Sequence, residues 1–324
     1  MFETAVKHNI KDILFLGDLF QDREDIQIIS YHLTYEVLSH YLNKYDINLY
    51  MLIGNHDMWF NNKTDISSII PLGSLKNIRI IKEPETINIS GFNFDFLPYT
   101  LNPLIGLGRL AKSDSNVLCG HLSLDGAQLN TFYHTHADIS VEHEGDMVKV
   151  DADKFGKYKK VFLGHYHGEQ RVKNVEYIGS PLQLNFAEAF QQKHIIIFDS
   201  DTFEQEYIIN DFSPKHLIIK EKDISKYDLN NTFLKLEPSD INTTNLSDLK
   251  SKLSEQYNIL TFDFSAPKYE EDEIIIEKVE NIQNILVKDR EILIEEYVKA
   301  TGTTLPYDEL ITIGKKIIQK SQVN

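Results

Sequence analysis

The fold is decided by residues 12–57, DILFLGDLFQDREDIQIISYHLTYEVLSHYLNKYDINLYMLIGNHD, in which two apolar runs flank a helical pattern. Residues 12–17 form a short and nearly continuous apolar run, as is typical of a parallel strand buried on both faces. A polar loop follows, and residues 25–44 carry apolar side chains at helical spacing. A second apolar run occupies residues 47–54. This order of strand, helix and strand is a βαβ unit, which predicts a parallel α/β sheet.

Both strands of this unit end in a glycine that is followed by a possible metal ligand, and the same arrangement occurs twice more. The four segments are FLGD with Asp18, LIGNHD with Asn55, His56 and Asp57, LCGH with His121, and FLGHYH with His165 and His167. The carboxyl ends of strands in an open α/β sheet meet at one crevice, and glycine lets the backbone turn sharply there. We therefore expect one site that combines a carboxylate, an amide and several imidazoles.

This mixture of ligands suits a pair of divalent metal ions. Imidazole favours Mn, Fe or Zn, and a carboxylate bridges two ions that are about 3.5 to 4 Å apart. Such a pair holds a phosphodiester, activates a water for in-line attack on phosphorus and stabilises the growing negative charge. His56 follows Asn55 directly and is the candidate to protonate the departing oxygen. Gly-Asp alone is usually only a turn, whereas Asn-His-Asp at a strand end has no packing rationale.

Composition limits the class of protein. A chain of 324 residues that is 42% hydrophobic and 25% charged is long enough for one large domain plus one or two small ones. The single cysteine, Cys119, excludes a disulfide framework, so any metal must be held by His, Asp, Asn or Glu. The net charge of -16 opposes an extended basic groove for nucleic acid. Affinity for DNA would then have to come from bound metal ions or from a partner subunit.

The remaining segments follow a less regular pattern. Short strands separated by turn residues are predicted over 78–99, and further strands at 116–119, 159–163, 175–179 and 194–198. The segment 203–209 closes this region. Residues 211–230 are polar and rich in turn residues, which indicates a boundary. Strand, helix and strand follow over 231–264, and two helical patterns over 273–300 and 306–320. No apolar run reaches bilayer length and no leader pattern is present, so we expect the cytoplasm, or the host cytoplasm if the chain is phage-encoded.

Three segments carry a family resemblance: GDLFQDR at 17–23, GNHDMW at 54–59 and GHYHGEQRVKNVEYIGSPLQLNFAEA at 164–189. They resemble the calcineurin-like metallophosphoesterases, and within them the SbcD-type (meiotic recombination type) DNA repair exonuclease subunits, including the phage recombination endonuclease form. The resemblance implies an α/β fold, a four-layer metallophosphoesterase β-sandwich flanked by helices, with a small αβ capping domain and a C-terminal helical segment.

The resemblance also implies residue roles. Asp18 would be the bridging carboxylate, Asn55, His121 and His165 would complete one metal site, and His167 would belong to the other. His56 would be the general acid and Asp57 would orient it. The cofactors would be two divalent metal ions, with Mn²⁺ favoured over Mg²⁺.

A domain division and partners follow from the same resemblance. Residues 1–210 would form the nuclease domain, 211–268 an αβ capping domain that contacts DNA, and 269–324 a helical segment that binds a partner. The partners would be DNA and an SMC-like coiled-coil ATPase, with the chain as a homodimer within a heterotetramer. Contacts to DNA are not assigned by the resemblance, and Arg171, Lys173 and Asn185 are candidates only because they lie near the site in sequence.

One departure from the family pattern concerns the start of the catalytic domain. Members of the family begin with a strand followed by an Asp-x-His motif, and none occurs ahead of Asp18 here. We expect about 30 to 40 residues, including a central strand, to be absent. The chain would then be a gene fragment, the product of a misassigned start, or one piece of a split protein. Two other interpretations stay open: a phosphoesterase acting on a phosphoprotein, cyclic nucleotide or nucleotide, and an inactive scaffold that docks on an ATPase.

Overall fold

The structure, a computed structural model, describes residues 1–60, 62–127, 148–239, 243–265 and 310–312. The chain divides into two units, Met1–Ser265 and Ala266–Asn324, and all the elements below belong to the first. The C-terminal helices predicted over 273–300 and 306–320 lie outside the described residues, apart from 310–312, which are helical. In the part of the chain that the structure describes, every helix is too short or too polar to cross a bilayer.

Helices and strands alternate through most of the first unit. Their order is α1 (Phe2–Lys7), β1 (Asp12–Phe15), α2 (Ile28–Tyr45), β2 (Asn48–Leu52), β3 (Met58–Phe60), β4 (Lys63–Ser67), β5 (Ile78–Ile81), β6 (Glu85–Ile89), β7 (Phe92–Leu97), α3 (Pro103–Leu110), β8 (Val117–His121), β9 (Lys160–Gly164), β10 (Gln170–Val172), β11 (Val175–Tyr177), β12 (His194–Phe198), β13 (Gln205–Ile209), β14 (Lys215–Lys220), β15 (Thr232–Glu237), α4 (Thr243–Gln256) and β16 (Ile259–Phe264).

Two sheets form the centre of the unit. The first has the order β1-β2-β5, with all three strands parallel. The second has the order β10-β11-β9-β8-β7-β6, with β7, β8, β9 and β11 parallel and antiparallel strands at both edges. One apolar cluster contains Leu16, Leu52 and Ile81 from the first sheet and Phe96 and Phe162 from the second, so the sheets pack face to face. The predicted α/β sandwich is confirmed.

A second apolar cluster lies on the outer faces of the sheets, where α2 packs through Leu38 and Leu42. The predicted helix begins at Ile28 and not at residue 25, because residues 24–27 are not helical and Gln27 has an extended backbone. Its N-terminal half buries little. Ile28, with 87% of its surface exposed, is followed by a row of exposed apolar side chains on the same helix: Ile29, Leu33 and Val37. Half of the apolar face that the sequence predicts is therefore uncovered in this chain.

The third sheet, with the parallel order β14-β15-β16, belongs to an αβ module. The helix α4 covers one face of this sheet, and Leu217, Leu234, Leu236 and Leu253 form its core. The strand β14 lies inside the segment 211–230, which the sequence predicts to be a turn-rich boundary. The short apolar run at 216–219 is a strand because it pairs in parallel with β15. This pairing is a contact with a later part of the chain, so the local sequence does not predict it. The division of the chain into domains at 210 and 268 stays a prediction.

The αβ module contacts the segment that follows the fourth strand-end motif. The His216 ring stacks on Phe233 at 4.7 Å between centroids and meets Phe186 edge-on at 5.0 Å. The backbone N–H of His216 also donates to Gln183 Oε1 over 2.6 Å. Phe186 begins a 3₁₀ turn, Phe186–Glu188, that reaches the candidate site described next.

Candidate metal centre

The four predicted strand ends meet at one place. Asp18 follows β1 and Asn55 follows β2, while His121 ends β8 and His165 follows β9. The ligand atoms of Asp18, His121 and His165 lie within 4.8 Å of one another, which makes them the candidate metal group among the described residues. Asn55 Oδ1 lies 3.0 Å from His121 Nε2 and 3.0 Å from His165 Nδ1. His121 Nε2 is also 3.1 Å from Asp18 Oδ2.

Glycine is required at these strand ends because the chain segments pass very close to one another. Gly17 has φ +95°, and a Cβ there would lie 2.5 Å from His121 Nδ1. A Cβ at Gly54 would lie 2.6 Å from the backbone nitrogen of Asp18 and 2.8 Å from its Cγ. Asp18 and His165 themselves have left-handed backbones, with φ 61° and 92°. Non-glycine residues in this region carry strain that the surrounding structure must support, and such strain clusters at functional sites.

The tautomer of His121 follows from its surroundings. Its Nδ1 lies 2.6 Å from the Leu16 carbonyl oxygen, which can only accept, so Nδ1 carries the proton. Nε2 is thereby turned toward the oxygens of Asp18 and Asn55. Burial by itself lowers the pKa of His121, but the Asp18 carboxylate and its hydrogen bond raise that pKa above the usual value. The site therefore favours a positive charge at Nε2.

Asp18 shows the complementary behaviour. Burial by itself raises the pKa of the Asp18 carboxyl, but the charge and hydrogen bond of His121 hold that pKa well below its usual range. A carboxylate oxygen, an amide oxygen and two imidazole nitrogens thus converge, and their lone pairs repel unless a cation lies between them. This donor set is one that divalent transition metals prefer, so the residues present fit a metal ion.

Asp57 connects the loops of the site through their backbone. It is 1% exposed, and its carboxylate accepts the N–H groups of Asp18 at 2.8 Å, Leu19 at 2.9 Å and Gly54 at 2.9 Å. Burial and then the nearby Asp18 charge raise the pKa of Asp57, the three backbone donors lower it, and the net pKa is about 6. The three donors thus favour the ionised carboxylate against its burial.

His56 lies beside the cluster. Its backbone N–H donates to Asp18 Oδ1 over 2.9 Å, and its ring Nδ1 lies 2.6 Å from the carbonyl oxygen of Gln21. The expectation that Asp57 orients His56 stays a prediction. Among the described contacts, the Gln21 carbonyl oxygen meets the His56 ring, and the Asp57 carboxylate holds the loop through backbone N–H groups.

Among the described residues, the candidate metal group consists of Asp18, His121 and His165, and it does not include His167. Its Nδ1 is 2.9 Å from Oε1 of Glu188, a residue that is 3% exposed. Burial by itself raises the pKa of Glu188, but hydrogen bonds from His167 and from Lys193 lower it to about 2. Sequence reasoning missed Glu188 and Lys193. The only signal was the position of Glu188 inside the SPLQLNFAEA segment.

Two other residues lie near the site, and of these only Tyr99 was not predicted from the sequence. The buried Tyr99 ring packs against His121 and His165, with centroid distances of 6.2 and 6.3 Å. Cys119, one strand position before Gly120, is buried, and this burial raises the pKa of its thiol to about 12. The thiol is therefore an inert core side chain, as expected from the sequence.

The candidates for DNA contact are already engaged within the chain. Arg171 donates to the buried Glu176 over 2.6 Å, and Lys173 pairs with Asp153. Asn185 accepts from the backbone N–H of Ala187 over 2.9 Å and so caps the 3₁₀ turn.

Residues 1–169 match the calcineurin-like phosphoesterase family, and the candidate metal group lies within this range. The chain belongs to this family, which confirms the family resemblance and identifies a hydrolase that uses divalent metal ions. It is 25% identical over 321 residues to exonuclease subunit 1 of Enterobacteria phage T4, covering 92% of this chain and 90% of that protein.

Two more distant similarities complete the comparison. The chain is 25% identical over 181 residues to a 3',5'-cyclic-nucleotide phosphodiesterase of Nostoc sp., covering 52% of this chain and 61% of that protein. A solved structure of an archaeal phosphodiesterase covers 64% of this chain and 88% of its own, with 14% identity and a TM-score of 0.31.

Proposed function

We propose that this chain is the nuclease subunit of a DNA-processing complex and hydrolyses phosphodiester bonds in DNA repair and recombination. The observation that carries the proposal is the convergence of Asp18, Asn55, His121 and His165 at the strand ends. The extended similarity to a phage exonuclease subunit, over 92% of this chain, supports DNA as the substrate. The proposed activity includes exonuclease or endonuclease cleavage.

The proposed residue roles follow the geometry of the site. Asp18, Asn55, His121 and His165 hold one divalent ion, and His167 belongs to the second, with Mn²⁺ favoured over Mg²⁺. When bound, such ions supply Lewis-acid stabilisation of the phosphoryl oxygens and an activated water. His56 Nδ1 donates a hydrogen bond to the Gln21 carbonyl oxygen, so Nε2 is the nitrogen that would pass a proton to the departing oxygen.

The number of metal ions tests the second site. In the family pattern two of its ligands come from an Asp-x-His motif, which does not occur ahead of Asp18 in this sequence. We propose that the chain binds two Mn²⁺ and cleaves linear double-stranded DNA. The measurement is titration of the purified chain with Mn²⁺, with DNA cleavage followed on the same sample. One equivalent or none, without cleavage, would contradict the proposal, and tight binding of the ATPase by the same sample would then indicate a scaffold.

Replacing His56 tests the assignment of the general acid. His56→Asn should lower kcat for DNA cleavage by about 10²- to 10⁴-fold, the usual contribution of a positioned acid or base. The number of bound Mn²⁺ should not change, because the His56 side chain is outside the ligand group. The exposed His40 on α2 provides the matched control, His40→Asn, which should retain full activity. Full cleavage by His56→Asn would remove this residue from the mechanism.

A small phosphodiester is the second candidate substrate, favoured by the similarity to the cyclic-nucleotide phosphodiesterase over 52% of this chain. The two candidates separate on substrate choice. Hydrolysis of bis-p-nitrophenyl phosphate or a cyclic nucleotide, with no cleavage of DNA even when a partner ATPase is present, would establish the second.

We propose the partners on the same grounds. The phage relative is a subunit by name, and an SMC-like ATPase would bind residues 269–324, with residues 211–268 as the capping domain. A second copy of the chain would cover the exposed apolar side chains of α2. With a net charge of -16, the chain would rely on the ATPase and on metal ions for its affinity to DNA in the cytoplasm.

A further inference from the structure

The segment from Gly179 to Lys193 is attached to His167 at both its main chain and its side chain. The Ser180 N–H donates to the His167 carbonyl oxygen over 3.0 Å, and Lys193 Nζ donates to the same oxygen over 2.8 Å. Gly179 has φ +73°, and a Cβ there would lie 3.0 Å from that oxygen. Glu188 Oε1 meets the ring at Nδ1. The backbone and the imidazole of His167 are thus fixed by one segment.

Glu188 is itself held in place by a second buried charge. Lys193 Nζ lies 2.7 Å from Glu188 Oε2 and 2.8 Å from Ser180 Oγ, and both side chains of the ion pair are less than 7% exposed. The N–H of Leu184 donates to Glu188 Oε2 over 3.3 Å, and Ser180 Oγ lies 3.3 Å from the same oxygen. Lys193 Nζ and the Leu184 N–H can only donate, so Oε2 accepts from them and the carboxylate presents its other oxygen, Oε1, to the His167 ring.

This arrangement decides which nitrogen of His167 can bind a metal. Because Glu188 Oε1 only accepts, the proton of the His167 ring must be on Nδ1. Nε2 is then unprotonated and available as a ligand, on the side of the ring away from Glu188. Carboxylates that accept from the second nitrogen of a metal-binding histidine set its tautomer and its orientation in this way.

We propose that Glu188, held by Lys193, is the positioning residue that prepares His167 Nε2 to bind the second metal ion. This inference rests on the metal role of His167 in the proposed function. The alternative is that Glu188 only stabilises the fold as half of a buried ion pair. Glu176 separates the two: it is also buried, but its described partners are Lys160, Arg171, Gln205 and Tyr207.

The test compares Glu188→Gln with the matched control Glu176→Gln in the full chain. Titration with Mn²⁺ should show a loss of about 10- to 100-fold in affinity for the weaker equivalent in Glu188→Gln only. Nitrogen-15 chemical shifts of the His167 ring, assigned against His167→Asn and recorded without metal, should show the Nδ1–H tautomer in the wild type and in Glu176→Gln. In Glu188→Gln the ring should become a mixture of tautomers. Urea unfolding should show comparable losses of stability in both variants.

An unchanged tautomer and unchanged affinity in Glu188→Gln, or equal changes in Glu176→Gln, would overturn the assignment. If the single variant does not fold, the double variant Glu188→Gln with Lys193→Met removes the unpaired buried ammonium and tests the same carboxylate. The tautomer is measured without DNA or metal, so it can fail independently of nuclease activity. A chain that cleaves no DNA but shows the tautomer change would retain the positioning role and lose the proposed substrate.

Discussion

The substitution Gly54→Ala should damage the metal centre while adding only one methyl group. Its Cβ would lie 2.6 Å from the backbone nitrogen of Asp18, and ordinary contacts begin at 3.4 Å. A rotation of the Asp18 side chain cannot relieve a contact with its backbone, so the two loops must separate by about 0.8 Å. A displacement of about 1 Å in an active site costs on the order of 10²-fold in rate, and overpacking costs about 1 to 3 kcal/mol of stability.

Hydrolysis of bis-p-nitrophenyl phosphate in excess Mn²⁺ measures the loss of rate without involving DNA binding. Titration with Mn²⁺ and urea unfolding should accompany it, since Asp57 holds Gly54 and Asp18 through their N–H groups and both loops would move. The control is Gly108→Ala in α3, where an added Cβ meets nothing within 4 Å. That helical variant should be fully active and more stable by about 0.5 to 1 kcal/mol.

Activity and Mn²⁺ affinity in Gly54→Ala within twofold of the wild type would refute the reasoning. The loops would then tolerate a side chain at their closest approach, and the close contact would not be what positions Asp18. A loss of activity in Gly108→Ala of the same size would equally show that the assay reports general disturbance.

Three further predictions concern other parts of the molecule. The Trp59 ring is exposed, so Trp59→Ala should raise KM for DNA about 5- to 150-fold, the value of one stacked base, and leave hydrolysis of bis-p-nitrophenyl phosphate unchanged. Equal effects on both substrates would exclude stacking. Leu33→Glu places a charge among the exposed apolar side chains of α2, so it should convert a dimer to a monomer in sedimentation analysis. A variant that remains dimeric would show that the interface lies elsewhere. Burial by itself raises the pKa of Glu176, but hydrogen bonds from Tyr207, Arg171 and Lys160 lower it to about 2. The ionised Glu176 therefore stabilises the folded protein above about pH 4.5, and this stabilisation is lost as pH falls toward 2. The free energy of unfolding, measured in urea, should be higher in the wild type than in Glu176→Gln by about 3 kcal/mol at pH 7 and by about 1 kcal/mol at pH 3. A difference that does not decrease at low pH would contradict the assigned pKa.

The sequence predicted the features that depend on local pattern. The runs before Gly17 and Gly54 are apolar because residues of both strands pack against both apolar clusters, although β1, at the edge of its sheet, is only half-buried. Such runs are recognisable without any knowledge of their partner strands. The convergence of Asp18, Asn55, His121 and His165 followed from the rule that parallel strands end at one edge. Their observed contacts are consistent with that expectation, while their roles as ligands stay a proposal.

Features that depend on distant contacts were missed. The strand β14 and the hairpin of β3 and β4 have little apolar alternation of their own and exist through their pairing. The helix α3 begins with Pro103 and contains two glycines, which weakens its local signal. The Gln21 carbonyl beside His56 and the Glu188 carboxylate beside His167 are brought in by loops whose paths no periodicity describes.

The sandwich of Phe186, His216 and Phe233 has a consequence for any shortened version of this chain. Phe186 lies two residues before Glu188, and its ring is in edge-to-face contact with the His216 ring of the αβ module. A truncation after β13 would expose this ring to water and remove the N–H that Gln183 accepts. The shortened chain would keep every proposed ligand in its sequence but lose the contacts that hold the segment of Glu188, which orients His167. The smallest part of this protein that can be expected to work therefore extends through β16.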